Sequence, residues 1–383
     1  MPEVKALFIP TSVTGVVYWR MYNFINAAFR NLAFDGHLLW WQKNMNEVHP
    51  WQHDIADPRY KARILNELDA NAKLSNIIVI GLVGTHAGMM AVQGLRECYG
   101  RPVVMEIDDN ILSCPEYNPA AATFGPNNPT RTIAIQQMRE SDAIIVSTPY
   151  LKELYSEFND HIYVVPNSID FELWDRVQHG RNKGRISIGW VGGANHKDYL
   201  EIIEPCISAI IDKYPQAEFV FGHGMHPDFK GRKGVRHMPA FSPVLKYPKM
   251  VARMGLDIGL APLVDNAFNR AKSNLRWLEY SALGIPTVAS NVGRFAETIH
   301  DGADGMLCDT ADDFTTAIES LIKDKAKRKC MARDAKARVF KDFNVDTTAR
   351  KYGDILADII DRGQIKRATT FKDSNFKQEA VIV

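Results

Sequence analysis

Glu279 stands in the stretch FNRAKSNLRWLEYSALGIPTVAS (268–290), where Leu275, Leu278, Ala282 and Leu283 mark the apolar stripe of a helix over 273–283. At about 100° per residue its carboxylate falls inside that stripe, not opposite it. A carboxylate on a packing face is costly unless something there bonds to it. One partner is Arg276, three residues back, in an intrahelical pair worth about 0.2–0.5 kcal/mol at a surface. That pair accounts for the charge but not for its place on the stripe. The other is the diol of a ribose, which carboxylates hold in other nucleotide sites. Position favours the ribose. Just ahead, Arg270 and Lys272 crowd the helix start with positive charge, where the dipole prefers negative, and Ser273 is a good N-cap type. Two cations with free amides, and Asn274 beside them, make a clamp for a diphosphate.

The same logic recurs in IGWVGGANHKDYL (188–200): a strand, then Gly192-Gly193, then a helix start carrying Lys197. Paired glycines admit a ligand close to the backbone, and a phosphate would relieve the cation at the helix N-terminus. Nearer the chain start, TSVTGVVYWRMYN (11–23) is a strand-to-helix loop with Gly15, followed by Tyr18, Trp19 and Arg20. MEIDDN (105–110) ends another strand and gathers Glu106, Asp108 and Asp109. Adjacent acids invite a hard divalent metal, but acceptor binding or stabilisation of an oxocarbenium-like centre fits Asp108 better, and at least one acid is expected to be structural. His86 opens a helix after VIGLVGT. His223 and His226 in FGHGMH form a loose pair without an evident third metal ligand.

The elements that must position these residues follow from the apolar pattern. Strand-like runs at 4–10, 37–41, 76–83, 102–108, 143–147 and 161–169 alternate with helical stretches at 15–33, 59–74, 85–98, 130–141 and 148–158. Strands without polar alternation are buried on both faces, so the order implies a parallel, doubly wound sheet. After the polar 170–185 the alternation restarts, with strands at 186–191, 217–222, 234–239, 256–263, 286–290 and 305–309. The expected organisation is a Rossmann-like domain over 1–170, a second over 171–345, a helix at 346–362 and a polar tail, 363–383, expected to be flexible. Two such domains place ligands in a cleft between them, at the carboxyl ends of strands.

Bulk properties set the class. The chain has 383 residues, 24% of them charged, and a formal charge of +1, so there is no global pull toward nucleic acid or acidic lipid. Five scattered cysteines without C-x-x-C spacing argue against a disulfide framework or zinc site and suit a reducing cytoplasm. No signal peptide is expected from MPEVKALFIP, and no apolar run approaches the ~20 residues of a membrane span.

VVPNSID, WVGGANHKDYL, APLVDNAFNRAKSNLRWLEYSALGIPTVAS and IHDGADGMLCD together resemble the retaining nucleotide-sugar glycosyltransferases of family 4, which have the GT-B fold. The resemblance covers most of 160–310; the first domain matches by architecture. It implies that the second domain binds the nucleoside diphosphate, that Glu279 holds the ribose, and that Lys197 and Lys272 neutralise the leaving group without a metal. It further implies that the loop at Gly15 approaches the donor or acceptor, that His86 orients one of them, and that the last helix crosses back to the first domain. Two departures stand out. The first glutamate of the family's pair is replaced by Ala271, and the arginine expected after Gly192 is missing, leaving Asn195 and His196 nearest its place.

The implied activity is transfer of a sugar from a nucleotide-diphosphate sugar to a hydroxyl of a saccharide, lipid-linked or other acceptor, with retention and no cofactor. A nucleic-acid acceptor gets no help from the charge. A sugar-nucleotide epimerase-like enzyme and a catalytically degenerate sugar-nucleotide-binding subunit are the alternatives.

Overall fold

The structure, a computed structural model, describes residues 4–10, 15–39, 58–82, 86–118, 120–177, 180, 184–192, 199–239 and 246–362. Contacts divide it into two units. One holds the residues up to Cys114, Ala120–Pro166 and those from Val345 on; the other holds Pro115–Pro119 and Asn167–Asn344.

The first unit contains β1 (Lys5–Ile9), β2 (Asp35–Leu38), β3 (Ile77–Gly81), β4 (Val103–Ile107), β5 (Ala143–Val146) and β6 (Ile162–Val164). They form one parallel sheet in the order β2-β1-β3-β4-β5-β6. Every residue of β3, β4 and β5 is buried, which is why these strands read as unbroken apolar runs. The helices are α1 (Gly15–Val17), α2 (Asn23–Asn31), α3 (Pro58–Leu74), α4 (His86–Tyr99), α5 (Ala120–Phe124), α6 (Pro129–Glu140) and α7 (Pro149–Tyr155). Two of them start on a capping residue followed by proline: Asn128 accepts from the Thr130 amide at 2.9 Å, and Thr148 from the Leu151 amide at 3.2 Å. The helix expected over 15–33 is interrupted by a π turn, Tyr18–Tyr22, that buries Tyr18, Trp19, Arg20 and Met21.

The second unit contains β7 (Ile186–Gly192), β8 (Ala217–His223), β9 (Val235–Pro239), β10 (Ile258–Ala261), β11 (Thr287–Ser290) and β12 (Met306–Cys308), parallel in the order β12-β11-β10-β7-β8-β9. The order reverses between β7 and β10, so the segments leaving these two strands emerge side by side, the usual ligand position in such sheets. Its helices are α8 (Phe171–Trp174), α9 (Leu200–Lys213), α10 (Tyr247–Arg253), α11 (Ala267–Arg270), α12 (Leu275–Ala282), α13 (Gly293–Thr298), α14 (Ala311–Lys323) and α15 (Lys325–Asp342). The helix expected over 273–283 starts later, α12 beginning at Leu275, and the loop expected ahead of it holds a short helix of its own, α11, that ends at Arg270.

The last helix, α16 (Val345–Asp361), belongs to the first unit. Its Tyr352 ring packs edge-on against Phe24 at 5.4 Å, and Asp346 pairs with Arg30 at 3.0 Å. The unit boundaries therefore fall at 166/167 and 344/345, a few residues before the expected 170/171 and 345/346. Pro166 cannot donate to the sheet, and the outgoing Ile169 amide instead bonds the Phe343 carbonyl of the incoming strand at 2.8 Å. The strand expected over 161–169 accordingly stops at Val164. Among the described residues no helix is long and apolar enough to cross a membrane.

Gly353 is the closest approach of α16 to the α2 end: a Cβ there would lie 2.8 Å from the Ala33 carbonyl oxygen. Gly353→Ala is expected to lower stability by about 1–3 kcal/mol in urea denaturation; a change under about 0.5 kcal/mol would show that α16 docks more loosely than described.

Candidate functional site

The chemistry of the second unit centres on α12. Its residues from Trp277 to Ala282 are all buried, Glu279 among them at 1% exposure. Glu279 Oε2 accepts hydrogen bonds from Arg276 and from the Tyr247 hydroxyl of α10 (3.0 Å), while Arg276 also donates to the Tyr247 oxygen at 2.7 Å. The intrahelical pair with Arg276 is thus formed, and it is enclosed rather than superficial. Glu279 Oε1, equally buried, has no hydrogen-bond partner among the described residues. Leaving a buried acceptor unsatisfied costs about 1–3 kcal/mol, more when it is charged. Burial pushes the Glu279 carboxyl above its ordinary value, against the opposing pull of Arg276 and Tyr247. The Arg276 side chain, 27% exposed, is the group of the three that its ion pair leaves in partial contact with solvent.

Tyr280 fixes this helix under the point where the strand order reverses. Its hydroxyl accepts from the Val191 amide of β7 and donates to the Leu260 carbonyl of β10, both at 3.2 Å. Gly259 permits the approach, since a Cβ there would meet the Tyr280 ring at 2.5 Å. The carboxylate next to Tyr280 is therefore tied to the carboxyl ends of the two strands that straddle the reversal.

The residues before α12 depart from expectation. The N-cap is Asn274, not Ser273, and its side chain makes no capping bond; it donates to Thr298 at 3.3 Å instead. The Ser273 hydroxyl accepts from Asn167 at 2.9 Å. Arg270 ends α11 and grips Asp265 through two bonds of 2.6 and 2.8 Å. Lys272 places its ammonium 4.2 Å above the Phe268 ring, a cation–π contact. Ala271, between α11 and α12, is buried.

Gly192 closes β7, but its lack of a side chain serves packing: a Cβ would strike the Trp190 ring at 2.2 Å. Gly193, Asn195, His196 and Lys197 lie outside the described residues. His223, at the end of β8, holds a left-handed φ of 72°, rare without glycine. Burial, then Arg276 and His237, push its imidazole pKa down. Its carbonyl accepts from His237 Nε2 of the neighbouring β9 at 3.2 Å, while His226 caps its own turn by accepting the Asp228 amide at 3.4 Å. Among the described residues no group of three His, Cys, Asp or Glu is placed to hold a metal ion.

In the first unit the three acids separate. Glu106, in the middle of a buried sheet, pairs with Arg20 of the π turn at 2.7 Å, with both side chains almost wholly enclosed. Glu106 is the structural member of the trio. The Asp108 carbonyl accepts from Ser147 at 3.5 Å, and the Tyr155 hydroxyl spans the Asp109 carbonyl (2.6 Å) and the Ile111 amide (3.1 Å), fixing the turn after β4. Gly15 begins α1, and a Cβ there would meet nothing within 4 Å among the described residues. His86 begins α4; its side chain lies outside the described residues.

Sequence reasoning did not find Tyr247 or the Arg20–Glu106 pair. Tyr247 sits on a seven-residue helix too short for an apolar period. The signal for the pair was present: a lone glutamate inside a strand buried on both faces demands a cation.

Residues 227–354 match the family described as glycosyl transferase-like. The glycogen synthase of Mycobacterium tuberculosis is 24% identical over 224 residues, 55% of this chain and 53% of that protein, so the chain spans about half the length of this relative. The catalytic domain of starch synthase IV from Arabidopsis thaliana, solved with ADP and acarbose, superposes with a TM-score of 0.66 at 13% identity, over 94% of this chain and all (100%) of that one. Alr3699/HepE from Anabaena, solved with UDP-glucose, gives a TM-score of 0.60 at 14% identity, over 93% of this chain and 100% of that one. These likenesses establish the fold: two doubly wound units in succession, the GT-B class.

The buried Glu106 carries a consequence for stability. Burial raises its pKa from 4.5 to about 7, against the pull of Arg20. Between those values the native protein holds a proton that the unfolded chain has released, so this group's contribution to stability falls as pH rises through the window. From about pH 5 to about pH 8 the protein is expected to lose on the order of 1–3 kcal/mol relative to Glu106→Gln in urea titrations. Parallel pH profiles for the two proteins would contradict the shift.

Proposed function

We propose that this chain is a cytoplasmic, retaining glycosyltransferase of family 4 that moves a sugar from a nucleotide-diphosphate sugar to an acceptor hydroxyl without a metal. The observation that carries the proposal is Glu279: a buried carboxylate with one oxygen held by Arg276 and Tyr247 and the other without a partner. A ribose diol supplies the hydroxyl donors that Oε1 lacks. Reaching it requires the partly exposed Arg276 side chain to swing aside, which lets Arg276 take a phosphate or base oxygen on the way.

The second unit is the donor side and the first the acceptor side. Lys197, Lys272 and the amides at the start of α12 offset the charge that grows on the diphosphate as it leaves. Gly15, Gly192, Gly193, Asn195, Arg270, Ser273 and Asn274 border the donor, and Asp108 and His86 orient the acceptor. Departure and attack on one face of the sugar retain configuration, the leaving phosphate taking the acceptor's proton. All five cysteines are free thiols, in keeping with a reducing compartment.

Glu279→Ala is expected to weaken nucleoside diphosphate binding by about 1–3 kcal/mol in calorimetry, and acceptor-dependent release of nucleoside diphosphate is expected to persist in EDTA. Unchanged affinity in a folded variant would remove the ribose role. Donor binding without turnover across a wide acceptor screen would point instead to a degenerate binding subunit, the reading that Ala271 favours.

A further inference from the structure

The α15 helix concentrates charge that the rest of the fold does not use. Its 18 residues carry eight Lys or Arg and two Asp, in a chain whose formal total is +1. Several of the cations are engaged internally: Arg338 with Asp304, Lys336 with Asp175 at 2.7 Å, Lys327 with Ser320 at 2.9 Å, and Arg333 with its neighbour Asp334 at 2.8 Å. Lys325, Lys329 and Lys341 are exposed and have no ion-pair partner among the described residues. Lys325 and Lys329 also sit in the first turns, where the helix dipole opposes them, and they face each other at a spacing of four residues. Both arrangements disfavour the helix, and both are relieved by an external anion.

The geometry of the outward side says which kind. Met331, Ala332, Ala335 and Val339 face the core, so the opposite side of the helix presents Ala326, Cys330, Arg333, Ala337 and Phe340. Phe340, 54% exposed, is the large apolar group there and stands edge-on to Phe171 at 4.9 Å. Small residues and the aromatic Phe340, interleaved with Arg333 and flanked on both sides by long lysines, suit a flat anionic interface: the lysine stems lie along it while their heads reach phosphates. Sequence-specific recognition of nucleic acid would call for several arginine forks or stacked aromatics, and this side offers one arginine and one aromatic. We propose that the outward face of α15 docks the protein onto an anionic lipid bilayer.

Sedimentation of the full chain with phosphatidylcholine vesicles, with and without phosphatidylglycerol, tests this. Binding is expected only to the anionic vesicles and should fall steeply with salt. A Lys325→Gln/Lys329→Gln/Lys341→Gln protein should bind about a hundredfold more weakly, since each cation near such a surface contributes about fivefold. Phe340→Ala should lose several-fold. The rise in unfolding temperature produced by nucleoside diphosphates should be unchanged in both variants, which separates failure at this face from failure of the donor site. Equal sedimentation with neutral vesicles, no sedimentation at all, vesicle binding unaltered by the triple substitution, or binding of duplex DNA in place of vesicles would each overturn the proposal.

Discussion

A carboxylate shut inside a helix face constrains everything around it in the second unit. Glu279 cannot be stable there as a bare charge, so Arg276 is drawn to the same face, and α10 brings Tyr247 to the same oxygen. That arrangement still satisfies only half of the carboxylate. Tyr280, the next residue, converts the position of the helix into a position relative to the sheet by bonding β7 and β10. Charge, orphaned acceptor and strand reversal thus coincide within two adjacent residues. A fold with no ligand to serve could replace the trio with apolar groups at little cost.

The first unit solves a similar problem differently. Glu106 is also a buried acid, but its cation, Arg20, comes from a π turn 86 residues earlier in the chain. The turn after β4 is held separately, its Asp108 and Asp109 carbonyls accepting from Ser147 and Tyr155. Glu106 Oε2, like Glu279 Oε1, has no partner among the described residues, so what sets Glu279 apart is its place beside the strand reversal.

Much of this was legible before any coordinates. Strands buried on both faces leave uninterrupted apolar runs, so the central strands β3, β4 and β5 could be read directly, whereas the half-exposed edge strand β2 lies at Asp35–Leu38 and not at the expected 37–41; the awkward place of Glu279 on its helix was visible from spacing alone. Other features were hidden for physical reasons. The α11 helix spans four residues, less than the period that would reveal it, so 267–270 read as loop, and Lys272 and Ser273 as the start of a helix that begins only at Leu275. Ser273 and Asn274 are both good capping types, and only tertiary partners, Asn167 and Thr298, decide how each is used. At Gly192 the requirement is real but arises from Trp190 beneath it, a contact made through a side chain that alternates across the strand. Arg20 follows two aromatics after the Gly15 loop, and nothing local signals its burial, which depends on a glutamate 86 residues away.

The whole account stands on an acid that keeps one oxygen for a sugar hydroxyl. The most direct measurement is a crystal structure of the protein with a bound nucleoside diphosphate. The account predicts a ribose hydroxyl within hydrogen-bond distance of Glu279 Oε1, about 2.5–3.0 Å, with Arg276 turned toward the nucleotide. A nucleotide bound elsewhere, with Glu279 still enclosed by Arg276 and Tyr247, would contradict it.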